Sequence, residues 1–143
     1  MVLIDSSAWV EFFRKKGDLG VKLAVANLRN EMQAAVCGPV AMEILGGALE
    51  EHREAIGRDF SLLPWLRTDE RLWLDSAAHY AKLRTHAVTA PWNDVLIATF
   101  SLWKGCRLYA PDKHFALMAP ILGLRLYEPG PNGNYSPERD ASL

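Results

Sequence analysis

Cysteine is scarce in this sequence: Cys37 and Cys106 are the only two, and they do not form a C-x-x-C pair. That argues against a disulfide framework or a thiolate metal site and for two reduced, buried thiols acting as small hydrophobes. Long apolar runs are missing as well. No stretch of about 18 uncharged apolar residues occurs, and no basic segment precedes an apolar one at the start, so the reading expects a cytoplasmic protein with neither a membrane span nor a secretion signal. Neither sign of charge prevails. The 16 Lys and Arg against 17 Asp and Glu leave a net −1, which excludes a wholesale electrostatic nucleic-acid binder but not a local basic groove. The G-x-x-x-x-G-K-[ST] loop of nucleotide hydrolases is absent, and no repeat, low-complexity tract or linker divides the chain. What is present is 143 residues, 50% of them hydrophobic. A chain of that size buries about 70% of its unfolded surface and needs no metal or disulfide to hold a core.

Hydrophobic patterning predicts short strands alternating with helices. The run Val2 to Ile4 reads as a strand ending on Asp5, with Ser6 or Ser7 offering an N-cap to a helix that carries Trp9, Phe12 and Phe13. A helix from Gly20 to Met32 leads to a strand, Ala34 to Cys37, and Pro39 suits the first position of a third helix. Glu50 to Arg58 is charged and helical, Phe60 to Leu66 reads as a short extended segment, and Thr68 caps a helix running through Leu83. Asn93 to Trp103 is apolar on nearly every side, which predicts a buried central helix ended by Gly105. A strand at Arg107 to Tyr109, a helix at Asp112 to Met118 and a last strand at Leu124 to Tyr127 follow. The tail beyond Pro129 is expected to fray. The fold class is α/β: one domain over residues 1–128 with a mostly parallel sheet flanked by helices, then a polar tail, 129–143.

In open parallel sheets ligands bind beyond the carboxyl ends of the strands, and four acids are spaced to reach that edge. Asp5 closes the first strand, and Asp112 follows the Arg107 to Tyr109 strand within three residues. Asp94 sits in the first turn of the apolar helix, and Glu43 about one turn into the helix begun at Pro39. Two unit charges at 4 Å repel by about 4 kcal/mol at an effective dielectric of about 20, so a fold that gathers carboxylates needs something to offset the repulsion. With no His or Cys cluster at ligand spacing, an all-carboxylate site favours Mg²⁺ or Mn²⁺ over Zn²⁺. Such ions bind phosphate oxygens and activate water, the chemistry of phosphodiester hydrolysis. Each acid taken alone also has a plainer account. Asp94 complements a helix dipole, Asp112 caps a helix, Glu43 faces solvent, and Asp5 merely ends a strand.

At these residues the sequence resembles the PIN-domain family, and within it the VapC-type toxins of toxin-antitoxin pairs. The matching pieces are MVLIDSSAWVEFFR, VAMEILGGA and PWNDVLIATFSLWKGCRLYAPDKHFALMA, in that order from Met1 to about Ala119. The resemblance implies a PIN-like fold and a Mg²⁺- or Mn²⁺-dependent endoribonuclease in which Asp5, Glu43, Asp94 and Asp112 are the catalytic, metal-binding acids. Ser6 would be the hydroxyl that orients the first of them. It further implies cleavage of tRNA or ribosomal RNA to a 5′-phosphate and 3′-hydroxyl, neutralisation by a cognate VapB-like antitoxin, and a homodimer. One departure is visible: Ala110 stands two residues before Asp112, where the family often has a hydroxyl. That keeps open a non-catalytic PIN-like domain that binds RNA or protein.

Arg14 and Lys113 are candidate contacts to the RNA backbone, although a solvated helix end accounts for Arg14 equally simply. His114 is either a phosphate contact or a surface residue. Trp9 and Trp103 read as core, the resemblance to the family makes Trp65 and Trp73 candidates for contact with a protein partner, and Trp92, beside Asp94, is a weak base-stacking candidate. Gly46 and Gly47, inside a helix, suggest a close approach of backbone or partner near Glu43.

Overall fold

The computed structural model describes residues 1–138. The apolar run at the start forms strand β1 (Val2–Ile4), every residue of it buried. It is buried on both faces, as a central parallel strand must be. β1 lies between β2 (Ala34–Ala35) and β3 (Arg107–Tyr109) in a three-stranded parallel sheet ordered β2-β1-β3. Val2 pairs with Ala34 on one side and Arg107 on the other, and Ile4 pairs with Tyr109, so β1 and β3 end level.

Among the described residues seven α-helices surround the sheet: α1 (Ser6–Phe13), α2 (Leu19–Asn30), α3 (Gly38–Gly47), α4 (Glu50–Ser61), α5 (Arg71–Thr85), α6 (Trp92–Lys104) and α7 (His114–Leu122). Because each strand runs directly into a helix, the N-termini of α1, α3 and α7 all meet the carboxyl edge of the sheet. α6 feeds β3 from the opposite end, so its N-terminus arrives at the same edge. Its residues 95 and 97–101 are buried, and it closes on Gly105 at φ +60, a conformation that favours glycine. On the other side, Trp9 stacks on Phe13 with ring centroids 5.6 Å apart and meets Phe60 edge-on at 5.0 Å. This aromatic cluster locks α1 and α4 together and seats the start of α1.

Several expected elements differ. Phe60 is the penultimate residue of α4, drawn there by its burial against Trp9, and the extended segment after it shrinks to one bridge between Val36 and Trp65. The last strand likewise reduces to a bridge between Leu108 and Leu126, flanked by bonds from Leu108 N to Arg125 O and from Tyr127 N to Leu108 O. Gly38, not Pro39, opens α3. Thr68 does not cap α5; Asp69 accepts from the Arg71 amide at 2.9 Å, and the Thr68 hydroxyl turns to the Asp69 carbonyl. The expected fraying does not hold for the described part of the tail. Asn27 on α2 donates to the Gly133 carbonyl at 2.8 Å, and Tyr135 stacks on Tyr127 at 6.3 Å. At Gly133, φ is +75 and a Cβ would meet the Ala24 nitrogen at 2.7 Å, so only glycine lets this turn lie on α2. The rest of the tail, 139–143, lies outside the described residues. Among the described residues no helix is long and apolar enough to cross a membrane.

Candidate active site

Asp5 is the residue at which β1 becomes α1. Its amide donates to the Tyr109 carbonyl at 2.9 Å, continuing the sheet, and its side chain caps the helix. One carboxylate oxygen accepts from the Ser7 amide at 3.0 Å and the Ser7 hydroxyl at 2.5 Å. Only 4% of Asp5 is exposed. The expectation fails for both serines: Asp5, not Ser6 or Ser7, is the N-cap of α1, Ser7 and not Ser6 orients Asp5, and the Ser6 hydroxyl crosses to Glu43 Oε1 on α3 at 3.0 Å. Glu43 also accepts from the Asn93 amide on α6.

The remaining two acids meet through a histidine. Asp112 follows β3, and its Oδ1 accepts from the His114 amide at 2.9 Å. That turn aims the His114 ring at α6, where Nδ1 lies 3.2 Å from Asp94 Oδ2 and 3.5 Å from Asp112 Oδ1. Ligand atoms of Asp94, Asp112 and His114 all lie within 4.8 Å of one another. His114 joins two acids in a cluster that sequence reasoning reads as carboxylate-only.

The electrostatics tie the two halves together. Burial raises the Asp5 carboxyl above its ordinary value against the lowering effect of the Ser7 hydrogen bonds, and the Asp112 charge pushes it further up. Partial burial raises Glu43 as well, with Ser6 opposing and the charges of Asp5 and Asp94 adding. Asp94 is raised by burial first, lowered by His114, and raised again by Asp5 and Asp112. Among the described residues no Lys or Arg forms an ion pair with any of these acids; their side-chain partners are Ser7, Ser6, Asn93 and His114.

This has a consequence for stability. A carboxyl that binds its proton more tightly in the folded chain favours the fold while protonated. That contribution fades as pH rises from the ordinary carboxyl value of 3.8 through the raised folded value of Asp5. In chelator, Asp5→Asn should therefore gain stability relative to the parent at neutral pH, and the gain should shrink toward pH of about 4. Thermal unfolding of both proteins across that range checks it; a pH-independent difference would mean that the Asp5 charge is not strained by burial.

The other candidates are placed as follows. Lys113 is exposed and directly follows Asp112, at the rim of the cluster. Arg14 is at the far end of α1 from Asp5, roughly 13 Å along the axis, and pairs with Glu11 at 3.0 Å; the fold does not gather it with the acids. Trp9 is fully buried, whereas Trp65, Trp73 and Trp92 are exposed. Trp103 is half-buried and donates to Asp75 at 2.6 Å. Among the described residues nothing lies within 4 Å of a Cβ built on Gly46 or Gly47, so no close approach between those residues explains them.

No family model matches the sequence. A relative named VapC ribonuclease Mb1587, from Mycobacterium bovis, is 37% identical over 130 residues, covering 87% of this chain and 96% of the relative. This chain belongs to the VapC ribonuclease family. Its fold agrees with solved structures that carry the same architecture at low identity. VapBC2 from Rickettsia felis, bound to a promoter DNA fragment, superposes with a TM-score of 0.69 at 16% identity, covering 89% of this chain and 98% of that one. A toxin-antitoxin complex from Klebsiella pneumoniae gives 0.64 at 21% identity, covering 87% and 95%. In this VapC-family chain β1 and β3 end level, so Asp5 and Asp112, which follow them, share the carboxyl edge of the sheet.

Proposed function

We propose that this protein is a divalent-metal-dependent endoribonuclease toxin acting on tRNA or ribosomal RNA in the cytoplasm. The observation that carries the reading is the gathering of four mutually interacting acids at one sheet edge, with no Lys or Arg ion pair among the described residues, in a chain 37% identical to a relative named VapC ribonuclease. The donor set fits Mg²⁺ or Mn²⁺, which take carboxylate oxygens. Asp5, Glu43, Asp94 and Asp112 would hold the ion. Once bound, it would neutralise phosphate charge and lower the pKa of a water for attack on the phosphodiester.

The chain's own residues supply position. Ser7 fixes Asp5, Ser6 and Asn93 fix Glu43, and the His114 amide fixes Asp112. Lys113 at the rim is the cation best placed for an RNA phosphate. The solved neighbours titled as VapBC and toxin-antitoxin complexes support a VapB-like antitoxin as partner. The apolar hollow between α5 and α6, about 290 Å³ and lined by Trp73, Tyr80 and Trp92, is a candidate homodimer surface.

Purified protein incubated with total RNA should cut it in Mg²⁺ or Mn²⁺, leave 5′-phosphate ends, and fall silent in EDTA; sequencing the ends identifies the target. Cleavage that persists undiminished in EDTA removes the metal from the reading. Ala110, which offers Asp112 no hydroxyl, favours one alternative, a non-catalytic RNA-binding domain. RNA binding without cleavage of any RNA in Mn²⁺ would identify it.

A further inference from the structure

Resting on that divalent-metal reading, we propose that His114 is itself a ligand of the ion, and that its nitrogen makes the centre select Mn²⁺ and later first-row divalent ions over Mg²⁺. The geometry starts at the turn from β3 into α7. The bond from the His114 amide to Asp112 Oδ1, 2.9 Å, closes the turn so that both side chains face α6. The His114 ring then lies between two carboxylates from different elements, Nδ1 being 3.2 Å from Asp94 and 3.5 Å from Asp112. Adjacent donors in an octahedral shell with bonds of about 2.1 Å stand about 3 Å apart, and opposite donors about 4.2 Å. The two separations from the ring nitrogen, 3.2 and 3.5 Å, fall in that range, and the three donors all lie within 4.8 Å of one another.

Hydrogen bonding alone accounts for the arrangement less well. A single Nδ1 proton points at one oxygen, yet two carboxylates from different elements converge on this nitrogen. An ion on the same spot would satisfy both acids and the ring together. Mg²⁺ gains little from an imidazole donor, whereas affinity for nitrogen-containing sites climbs from Mn²⁺ through Co²⁺ to Ni²⁺. One histidine among carboxylates therefore tilts an otherwise Mg²⁺-type site toward transition ions.

The test uses the full chain freed of metal by chelation. Calorimetric titration should show Mn²⁺ and Co²⁺ bound more tightly than Mg²⁺, and His114→Ala should weaken the first two by about tenfold or more while changing Mg²⁺ less. Pulsed EPR of the Mn²⁺-loaded protein should show modulation from a directly bound ¹⁴N that disappears in His114→Ala. The side chain is half exposed, so the variant should fold; its thermal unfolding is compared as a check. Unchanged Mn²⁺ affinity in the variant, or no ¹⁴N signal in the parent, overturns the proposal. Tighter binding in the variant also overturns it, by making the ring a competitor of the ion. If Asp5→Asn abolishes metal binding and His114→Ala does not, only the role of His114 falls. If the parent binds neither Mn²⁺ nor Mg²⁺, the metal reading falls with it.

Discussion

Asp5→Asn is expected to lower RNA cleavage about a thousandfold while leaving the protein folded and at least as stable at neutral pH. Asn caps helices as well as Asp does, so the bond from the Ser7 amide survives and α1 keeps its start. What is lost is a buried negative charge that the apo fold holds only against burial and the Asp112 charge. Loss of activity without loss of stability separates a working carboxylate from a structural one. Asp112→Asn should behave in the same way, and the double variant should be little worse than either single one, because groups that act as a unit are not additive. Cleavage of an end-labelled RNA in Mn²⁺, with circular dichroism alongside, measures both. Activity within tenfold of the parent in both single variants would remove these acids from the chemistry.

Trp9→Ala carries the largest expected cost in stability. The ring is fully buried and touches Phe12, Phe13 and Phe60, and truncating such a side chain costs about 3–5 kcal/mol. That is a large share of the roughly 5–15 kcal/mol that holds a typical domain, and it should lower the thermal midpoint by roughly 6–20 °C. Trp9→Phe should cost much less, because the Trp9 indole N–H is buried without a hydrogen-bond partner among the described residues and its removal relieves a desolvated donor. Denaturant unfolding of the three proteins gives the comparison. A loss below about 1 kcal/mol in Trp9→Ala, the range of ordinary substitutions, would show that the aromatic cluster does not seat α1. Cleavage should fall with Trp9→Ala as well, since Asp5 is the cap of the helix that this ring anchors.

The features most legible in the sequence are those set by local pattern. The run VLID announces β1 and its terminal acid, and the all-round apolarity of residues 93–103 announces a central α6, because burial on every side leaves that signature. The roles of Ser6 and Ser7 were harder to read. Adjacent hydroxyls look alike on paper, but a cap side chain reaches the second or third amide of its helix, which ties Asp5 to Ser7 and turns Ser6 toward α3. His114 was hidden for a different reason. It lies 20 residues from Asp94, and local ligand spacing says nothing of two helix N-termini meeting across a sheet edge. The stretch around Leu126 reads as a strand, yet strand pairing depends on register, and only one bridge forms. The tail composition is that of a loop, and nothing in it foretells that a left-handed glycine at 133 lets backbone lie directly on α2.

The central place of β1 also sets a clock on biosynthesis. The strand that leaves the ribosome first waits for β3, which carries the chain into Asp112, 107 residues downstream of Asp5. At about 5–20 residues per second, the earliest acid is exposed for roughly 5–20 s before its partner emerges. The sheet edge that carries Asp5 is therefore completed only once β3 has been made.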